Sequence, residues 1–162
     1  MVGSVQQPGA RPRGAHVRVP PPALYAVPLA VSALLDRRLP FPLPGGRTTR
    51  RAGLALVVAG LGLGASGAGT FRREHTTVVP HHEVSTFVTS GPYRFTRNPM
   101  YLGMTTAYTG AALALRSAWP LTLLPGILTA MDRLVIRREE AYLRTRFGAP
   151  YDAYRDRVRR WV

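Results

Sequence analysis

The chain of 162 residues is long enough for one ordinary domain and contains 22 arginines, eight acidic residues and no cysteine. The absence of cysteine excludes disulfides, thiolate nucleophiles and cysteine-ligated metal centres. A formal charge of +14 with 46% hydrophobic residues would suit a nucleic-acid-binding protein, but the charges lie in blocks. Four segments contain no charged side chain, namely 19–35, 52–71, 98–115 and 117–131. This distribution is typical of a membrane protein, so we expect the lipid bilayer as partner and no nucleic acid.

The first 18 residues carry three arginines and no acid, which predicts a disordered basic arm. The run 19–35 ends without a small-residue cleavage site, so it predicts an uncleaved first transmembrane helix, kinked at Pro28. Residues 36–51 are rich in proline, glycine and arginine and predict a loop. From residue 19 to residue 162 we expect a single membrane-embedded domain.

The second apolar run, 52–71, has the length of a transmembrane helix and is rich in glycine. Gly60, Gly62 and Gly64 are similar to part of a dinucleotide-binding fingerprint, but no strand precedes them, which argues against that interpretation. The four-residue spacing of Gly60, Gly64 and Ala68 instead predicts a stripe of small residues for close helix packing.

Residues 72–97 are too polar to cross a membrane. Their three His residues 75, 81 and 82 lie with Glu83 in no recurring ligand spacing, so we expect surface histidines and no metal site. Asn98 is a good helix N-cap and Pro99 suits the first helical position, which predicts that a third span, 98–115, begins here.

The fourth span, 117–136, is predicted to pair with the third as a helical hairpin and to continue as a polar helix up to Gly148. A last helix, 150–161, carries tyrosines and a tryptophan on one face and arginines on the others, which indicates a helix on the membrane interface. We therefore predict an all-α integral membrane protein with about four transmembrane helices, a C-terminal helical hairpin and a cytoplasmic helical tail.

The distribution of arginine predicts the orientation of these spans. With four spans, sixteen arginines lie on the side that holds both termini and the 72–97 segment, and six lie on the other side. Because positive charge is enriched on the cytoplasmic side, we expect a multi-pass protein of the cell (inner) membrane with both termini in the cytoplasm.

Two groups of motifs flank the predicted hairpin. Before it stand Gly91-Pro92-Tyr93 and Arg97-Asn98-Pro99-Met100-Tyr101, with Gly103 following, and after it stand Glu139-Glu140, Phe147-Gly148 and the pair Tyr151 and Tyr154. In order and spacing this pattern resembles the membrane methyltransferase family that includes isoprenylcysteine carboxyl methyltransferase and the phospholipid N-methyltransferases. The resemblance covers roughly residues 52–162.

The resemblance implies an enzyme that uses S-adenosylmethionine, bound at the cytoplasmic ends of the last two spans, and that methylates a lipid-like or lipidated acceptor at a carboxyl or an amine. It implies a catalytic role for Arg97 and Asn98 and substrate contacts for Arg94, Tyr151 and Tyr154. The cofactor-binding residues that it implies are Gly91, Tyr93, Arg97, Asn98, Pro99, Tyr101, Glu139 and Glu140.

The chemistry of these side chains fits such a cofactor. Carboxylates of Glu139 or Glu140 can accept hydrogen bonds from ribose hydroxyls or pair with an ammonium, and a carboxylate near a sulfonium is favourable. Tyrosine rings offer faces to adenine or to the sulfonium, and arginine can hold a carboxylate or a phosphate. Many members of the family have His in place of Asn98. Since Asn cannot accept a proton near neutral pH, it favours a carboxylate acceptor or an acceptor that loses its proton to solution.

Simpler interpretations stand beside these. Glu140 and Arg144 have the spacing of an ordinary surface helix pair, Asn98 can serve only as a cap, and the tyrosines can be interfacial aromatics. Two other functions also fit the pattern: an NADPH-dependent membrane reductase of the steroid-reductase type, and a non-catalytic membrane scaffold whose basic tail binds anionic lipid.

Overall fold

Helices form most of the computed structural model, which describes residues 19–73 and 87–162. They are α1 (Pro21–Arg38), α2 (Arg47–Arg73), a short 3-10 turn (Gly91–Arg94), α3 (Pro99–Leu115), α4 (Trp119–Met131), a π-helical segment (Asp132–Ile136), α5 (Arg137–Phe147) and α6 (Ala149–Arg157). Within the described residues the only β-type pairing is one isolated bridge between Pro42 and Ser117. The all-helical fold class is therefore confirmed, while the arm 1–18 and the histidines at 75, 81 and 82 lie outside the described residues.

The loop between the first two helices is shorter than the sequence predicts. Helix α1 continues through Arg38 and α2 already begins at Arg47, so the predicted loop 36–51 is wrong at both ends. Arginine is a good helix former, and a helix that leaves an apolar layer can continue through several arginines in water. The end of an apolar run therefore does not mark the end of the helix.

Helices α2 and α3 lie in backbone contact through glycines from both sides. A Cβ atom added at Gly60 would lie 2.5 Å from the carbonyl oxygen of Gly103, and one at Gly103 would lie 2.7 Å from the backbone nitrogen of Gly64. The buried glycines of α2 are Gly53, Gly60 and Gly67, seven residues apart. The predicted stripe of Gly60, Gly64 and Ala68 thus names the right face of α2, but the buried positions repeat every two turns rather than every turn.

The two short connections, one between α1 and α2 and one between α3 and α4, meet at one end of the helix bundle. The α1–α2 loop meets the α3–α4 turn, where Leu43 donates its backbone N–H to Arg116 (2.8 Å) and Ala118 donates to Phe41 (2.8 Å). Arg116 itself adopts a left-handed conformation with φ 57°, which reverses the chain between α3 and α4. These two hydrogen bonds fix the closed end of the antiparallel hairpin formed by α3 and α4. The candidate functional residues lie at its other end.

Helix α4, the π-helical segment and α5 form one continuous helix, as predicted, which stops at Gly148 with φ +56°. Two helices are long and apolar enough to cross a membrane, namely Arg47–Arg73 and Trp119–Phe147, among the residues that the structure describes. In the second of these, the apolar part is 119–136, and the charged turns of α5 follow it. An extra residue in the π-helical turn changes the direction in which the side chains of α5 point.

The C-terminal end differs from the prediction. The expected interfacial helix 150–161 is observed as Ala149–Arg157, and Val158 is extended with φ −117° and ψ 125°. Residues 158–162, called here the C-terminal tail, run back toward α3, and Trp161 packs against the core formed by α1, α3, α4, the π-helical segment and α5. The prediction of a helix to residue 161 is wrong because backbone partners outside the helix, described below, compete for the tail.

The close approach of α2 and α3 leads to a prediction on stability. Gly60→Ala places a methyl group against backbone atoms of α3 that cannot move aside, so we expect a loss of about 1–3 kcal/mol. Gly62→Ala is the matched control, because no atom lies within 4 Å of its added Cβ, and we expect it to be neutral or stabilising by up to about 1 kcal/mol. Thermal unfolding of both variants in mild detergent measures the difference, and equal melting temperatures would contradict the packing.

Candidate functional site

The candidate site lies where the C-terminal end of α2, the N-terminal end of α3, α5 and the C-terminal tail come together. The 3-10 turn Gly91–Arg94 brings the first motif group against α2, and the rings of Phe71 and Tyr93 meet edge to face at 5.4 Å. Gly91 has φ +58°, and a Cβ atom there would lie 2.9 Å from the Thr70 hydroxyl. Glycine at this position is therefore explained by the turn and by its close approach to α2.

Tyr101 and Glu139 connect the two motif groups directly. The Tyr101 hydroxyl, in the first turn of α3, donates a 2.7 Å hydrogen bond to Oε1 of Glu139 in α5. Burial raises the pKa of the Glu139 carboxyl to about 7; the hydrogen bond from Tyr101 opposes this shift and the neighbouring Glu140 adds to it. Glu139 is thus a partly buried carboxyl group whose charge depends on pH near neutrality.

Glu140 is held between two arginines. Nη1 of Arg97 lies 3.2 Å from its Oε1, and Arg160 of the C-terminal tail bonds both of its carboxylate oxygens, Nε to Oε1 at 3.0 Å and Nη2 to Oε2. The side chains of Arg97 and Glu140 are 12% and 19% exposed, so this pair is well shielded from water. The predicted surface pair of Glu140 with Arg144 does not form; Arg144 pairs instead with Asp152 at 3.4 Å.

Asn98 stands at the N-cap position of α3 but does not cap it. Its side chain makes no capping hydrogen bond; Nδ2 donates to the backbone oxygen of Arg160 at 3.0 Å instead. Thr96 donates from its hydroxyl to the same oxygen, also at 3.0 Å, and the backbone N–H of Arg97 donates to Arg159 at 2.9 Å. The interpretation of Asn98 as a cap is therefore wrong, because the tail supplies an acceptor that its amide uses.

Tyr151 and Tyr154 belong to a buried aromatic cluster. Phe87 lies in contact with Phe147, Tyr151 and Tyr154, at centroid distances of 5.0, 6.1 and 5.9 Å. The Tyr154 hydroxyl donates a 2.8 Å hydrogen bond to the backbone oxygen of Tyr93. This cluster fixes α6 against the 3-10 turn, and burial raises the pKa of Tyr154 to about 12, so its hydroxyl stays protonated.

Several buried polar atoms of the site have no hydrogen-bond partner within the described part of the chain. They include the Tyr93 hydroxyl and Nε of Arg97. Burial is the main cause that raises the pKa of Tyr93, and the negative charge of Glu139 is the second, which places this hydroxyl close to Glu139. Since a buried donor without an acceptor costs stability, these atoms are candidates for contact with a polar ligand beside Glu139.

Two further residues of the predicted site are Pro99 and Arg94. Pro99 is buried at the start of α3, near Gly67 of α2, and Arg94 is exposed at the end of the 3-10 turn. No group of three or more potential metal ligands occurs within residues 19–73 and 87–162.

Sequence reasoning missed Arg160 and its second partner Asp132, 2.9 Å away. In the sequence, Arg160 is one of several arginines near the C-terminus. The only signal for its role is the set of three acids, Asp132, Glu139 and Glu140, in the preceding long helix.

One family of known proteins matches the part of the chain that contains most of these elements. The sequence model of the phospholipid methyltransferase family matches residues 48–150. No curated protein and no solved structure matches the chain. The matched segment contains α2 to α5 with both motif groups up to Phe147-Gly148, while α1 and the C-terminal tail lie outside it.

The raised pKa of Glu139 makes stability depend on pH. Between pH 4.5 and about 7 the folded protein binds a proton that the unfolded chain does not, so stability falls as pH rises through this window. We expect the melting temperature of the ligand-free protein to decrease more between pH 5 and pH 8 than that of Glu139→Gln. Subtracting the change in melting temperature of Glu139→Gln from that of the wild type removes the contribution of other titrating groups. An equal decrease in both proteins would contradict a raised pKa of Glu139.

Proposed function

The chain belongs to the phospholipid methyltransferase family, and on that premise we propose that it transfers a methyl group from S-adenosylmethionine to a lipid-like or lipidated acceptor. The family consists of membrane methyltransferases that act on lipid. The observation that carries the proposal is the contact of Tyr101 with Glu139 and of Arg97 with Glu140, which joins residues about forty positions apart at one end of the hairpin. The two long apolar helices, Arg47–Arg73 and Trp119–Phe147, lead directly into this end.

The residues at this end fit the chemistry of the cofactor. S-adenosylmethionine carries a sulfonium, an ammonium, a carboxylate and ribose hydroxyls, and when bound it supplies the methyl group. Glu139 offers a carboxylate for a cation or for ribose hydroxyls, Arg97 offers a guanidinium for the carboxylate, and Tyr93 offers a buried hydroxyl without a partner in the described chain. Arg97 and Glu139 therefore form the centre of the proposed binding site.

The two glutamates have different roles in this proposal. Glu140 already forms ion pairs with two arginines, so its charge is neutralised within the protein. Glu139 accepts a hydrogen bond from Tyr101 through Oε1, and we assign its other carboxylate oxygen to a ligand. We assign Glu139 to direct cofactor binding and Glu140 to holding Arg97. Gly91 shapes the 3-10 turn that presents Tyr93, and Pro99 begins the helix whose first turn presents Tyr101.

Positioning and exclusion of water are the main tasks of a protein in methyl transfer, because no metal or covalent enzyme intermediate is required. The buried aromatic cluster around Tyr151 and Tyr154 supports the 3-10 turn, and its contact with the acceptor stays a prediction. Arg94 is exposed and Phe95 beside it is 77% exposed, and we assign Arg94 to contact with an acceptor at the membrane surface. In this proposal Arg97 and Asn98 orient the cofactor and the acceptor and do not remove a proton from the acceptor. Since a carboxylate needs no deprotonation, this favours a carboxylate acceptor.

The proposed topology has four spans with both termini in the cytoplasm of the cell membrane. In addition to the two long helices, α1 has 18 residues and α3 has 17 residues, and α3 contains no charged side chain. Each is close to the minimum length for crossing a bilayer, and α3 packs along α2 through backbone contacts. The site then faces the cytoplasm, where water-soluble S-adenosylmethionine is available, and borders the bilayer that holds the acceptor.

Cofactor binding to the detergent-solubilised protein tests the proposal. We expect Glu139→Gln to weaken binding of S-adenosylmethionine roughly 10- to 100-fold, since a hydrogen bond to a charged group is lost, and Glu139→Gln with Glu140→Gln to abolish it. Asp156→Asn is the matched control, because its side chain is 70% exposed and lies outside the site. Calorimetry with NADPH as a second ligand separates the reductase alternative. Unchanged binding in the double variant would refute the site.

The acceptor is identified by labelling. Membranes that contain the protein are incubated with S-adenosylmethionine labelled in the methyl group, and the label is traced to lipid, protein or small molecules. We expect label in lipid or lipidated material, lost on mild base treatment if a carboxyl is methylated and retained if an amine is methylated. Membranes with the double glutamate variant serve as control, and equal labelling there would contradict the proposal.

A further inference from the structure

The C-terminal tail bonds both the start of α3 and Glu140, which belong to the proposed cofactor site. Its backbone accepts three hydrogen bonds from the segment that starts α3: from the Arg97 N–H to Arg159, and from the Thr96 hydroxyl and the Asn98 amide to Arg160. These contacts connect residues more than sixty positions apart. The start of α3 is therefore held by the end of the chain as well as by its own helix.

The side chain of Arg160 extends the same contact to α5 and to the π-helical segment. Its guanidinium bonds both oxygens of Glu140 and, through Nη1, Oδ1 of Asp132 at 2.9 Å. Asp132 in turn accepts from Nε of Arg137 at 2.6 Å. A guanidinium that bonds two oxygens of one carboxylate fixes the plane of that carboxylate, which a single point charge does not.

Glu140 connects this arrangement to the ligand-binding side. It lies between Arg160 and Arg97, and Arg97 is the guanidinium with a buried nitrogen that lacks a partner within the described residues. As long as Arg160 neutralises Glu140, Arg97 contributes only one nitrogen to the carboxylate. If Arg160 is removed, Glu140 has Arg97 as its remaining cation and attracts it more strongly, so less of the Arg97 charge is available to an anionic group of a ligand.

We propose that Arg160 is a positioning residue of the cofactor site: by holding Glu140 it keeps Arg97 free to bind the carboxylate of S-adenosylmethionine. This inference rests on the proposed function. Arg160 lies beyond the segment 48–150 that matches the family, so the family comparison does not assign it a role. Its effect on the ligand is indirect, through Glu140 and Arg97.

The test compares substitutions at Arg160 with a neighbouring arginine of equal charge. In the full-length protein in detergent, we expect Arg160→Gln to weaken S-adenosylmethionine binding about tenfold, as for the loss of a charge-assisted contact. Arg160→Lys keeps the charge but loses the two-oxygen bond, so we expect an intermediate effect. Arg157→Gln, whose exposed side chain contacts only its own helix in the described structure, should bind like the wild type.

A second comparison separates positioning from general stability. In the Glu140→Gln background the carboxylate that Arg160 holds is absent, so adding Arg160→Gln should weaken binding no further. Melting temperatures of the ligand-free variants are measured in parallel, and if Arg160→Gln does not yield monodisperse protein, Arg160→Lys supplies the comparison. A purely structural role would lower the melting temperature and leave the dissociation constant of the folded protein unchanged.

The possible outcomes are distinct. Weaker binding by the Arg160 variants that disappears in the Glu140→Gln background supports the inference. If the wild type binds S-adenosylmethionine and the Arg160 variants bind it with unchanged affinity, the inference on Arg160 is overturned and the proposed function stands. Additive losses of affinity in the double variant have the same consequence. A wild-type protein that does not bind S-adenosylmethionine overturns the proposed function and this inference together.

Discussion

The carboxylate of Glu140, shared between Arg97 and Arg160, is the contact on which the arrangement of the site depends. A partly buried carboxylate at the end of an apolar helix is stable only when cations and hydrogen-bond donors surround it. Here the two cations come from opposite sides in the sequence, one before α3 and one at the end of the chain. Satisfying this one charge therefore brings the start of α3, α5 and the C-terminal tail together.

The backbone contact between α2 and α3 makes that meeting possible. Glycines on both helices allow the axes to approach until backbone atoms touch, and the same line of contact ends at Gly67 beside Pro99. Because α3 is fixed along its length, the residues just before it, from Gly91 to Asn98, have a defined position against α2 and α5. The 3-10 turn uses this position, with Gly91 close to Thr70 and Tyr93 against Phe71.

The π-helical segment and the tail explain where expectation and structure separate. A heavily basic C-terminus with apolar residues at helical spacing is typical of an interfacial helix, and local spacing holds no information on a partner sixty residues away. The carbonyl oxygens of Arg159 and Arg160 accept hydrogen bonds from the start of α3, so the last turn of the predicted helix is replaced by non-helical chain. In the same way Asn98 has the local signature of a cap, but its amide uses the acceptor that the tail provides.

The order of apolar and charged blocks determined the helical class and the pairing of the last two long helices, because burial of apolar side chains and exposure of arginine depend only on composition along the chain. The motif groups before and after the hairpin predicted that Tyr93, Arg97, Tyr101 and the two glutamates lie close together, since an antiparallel hairpin returns the chain to the end where it began. Only the tertiary structure decided which glutamate pairs with which residue: Glu139 with Tyr101, and Glu140 with Arg97 and Arg160. Adjacent residues on a helix point about 100° apart, and a π-helical turn shifts that direction again, so their partners are set by packing rather than by spacing in the sequence.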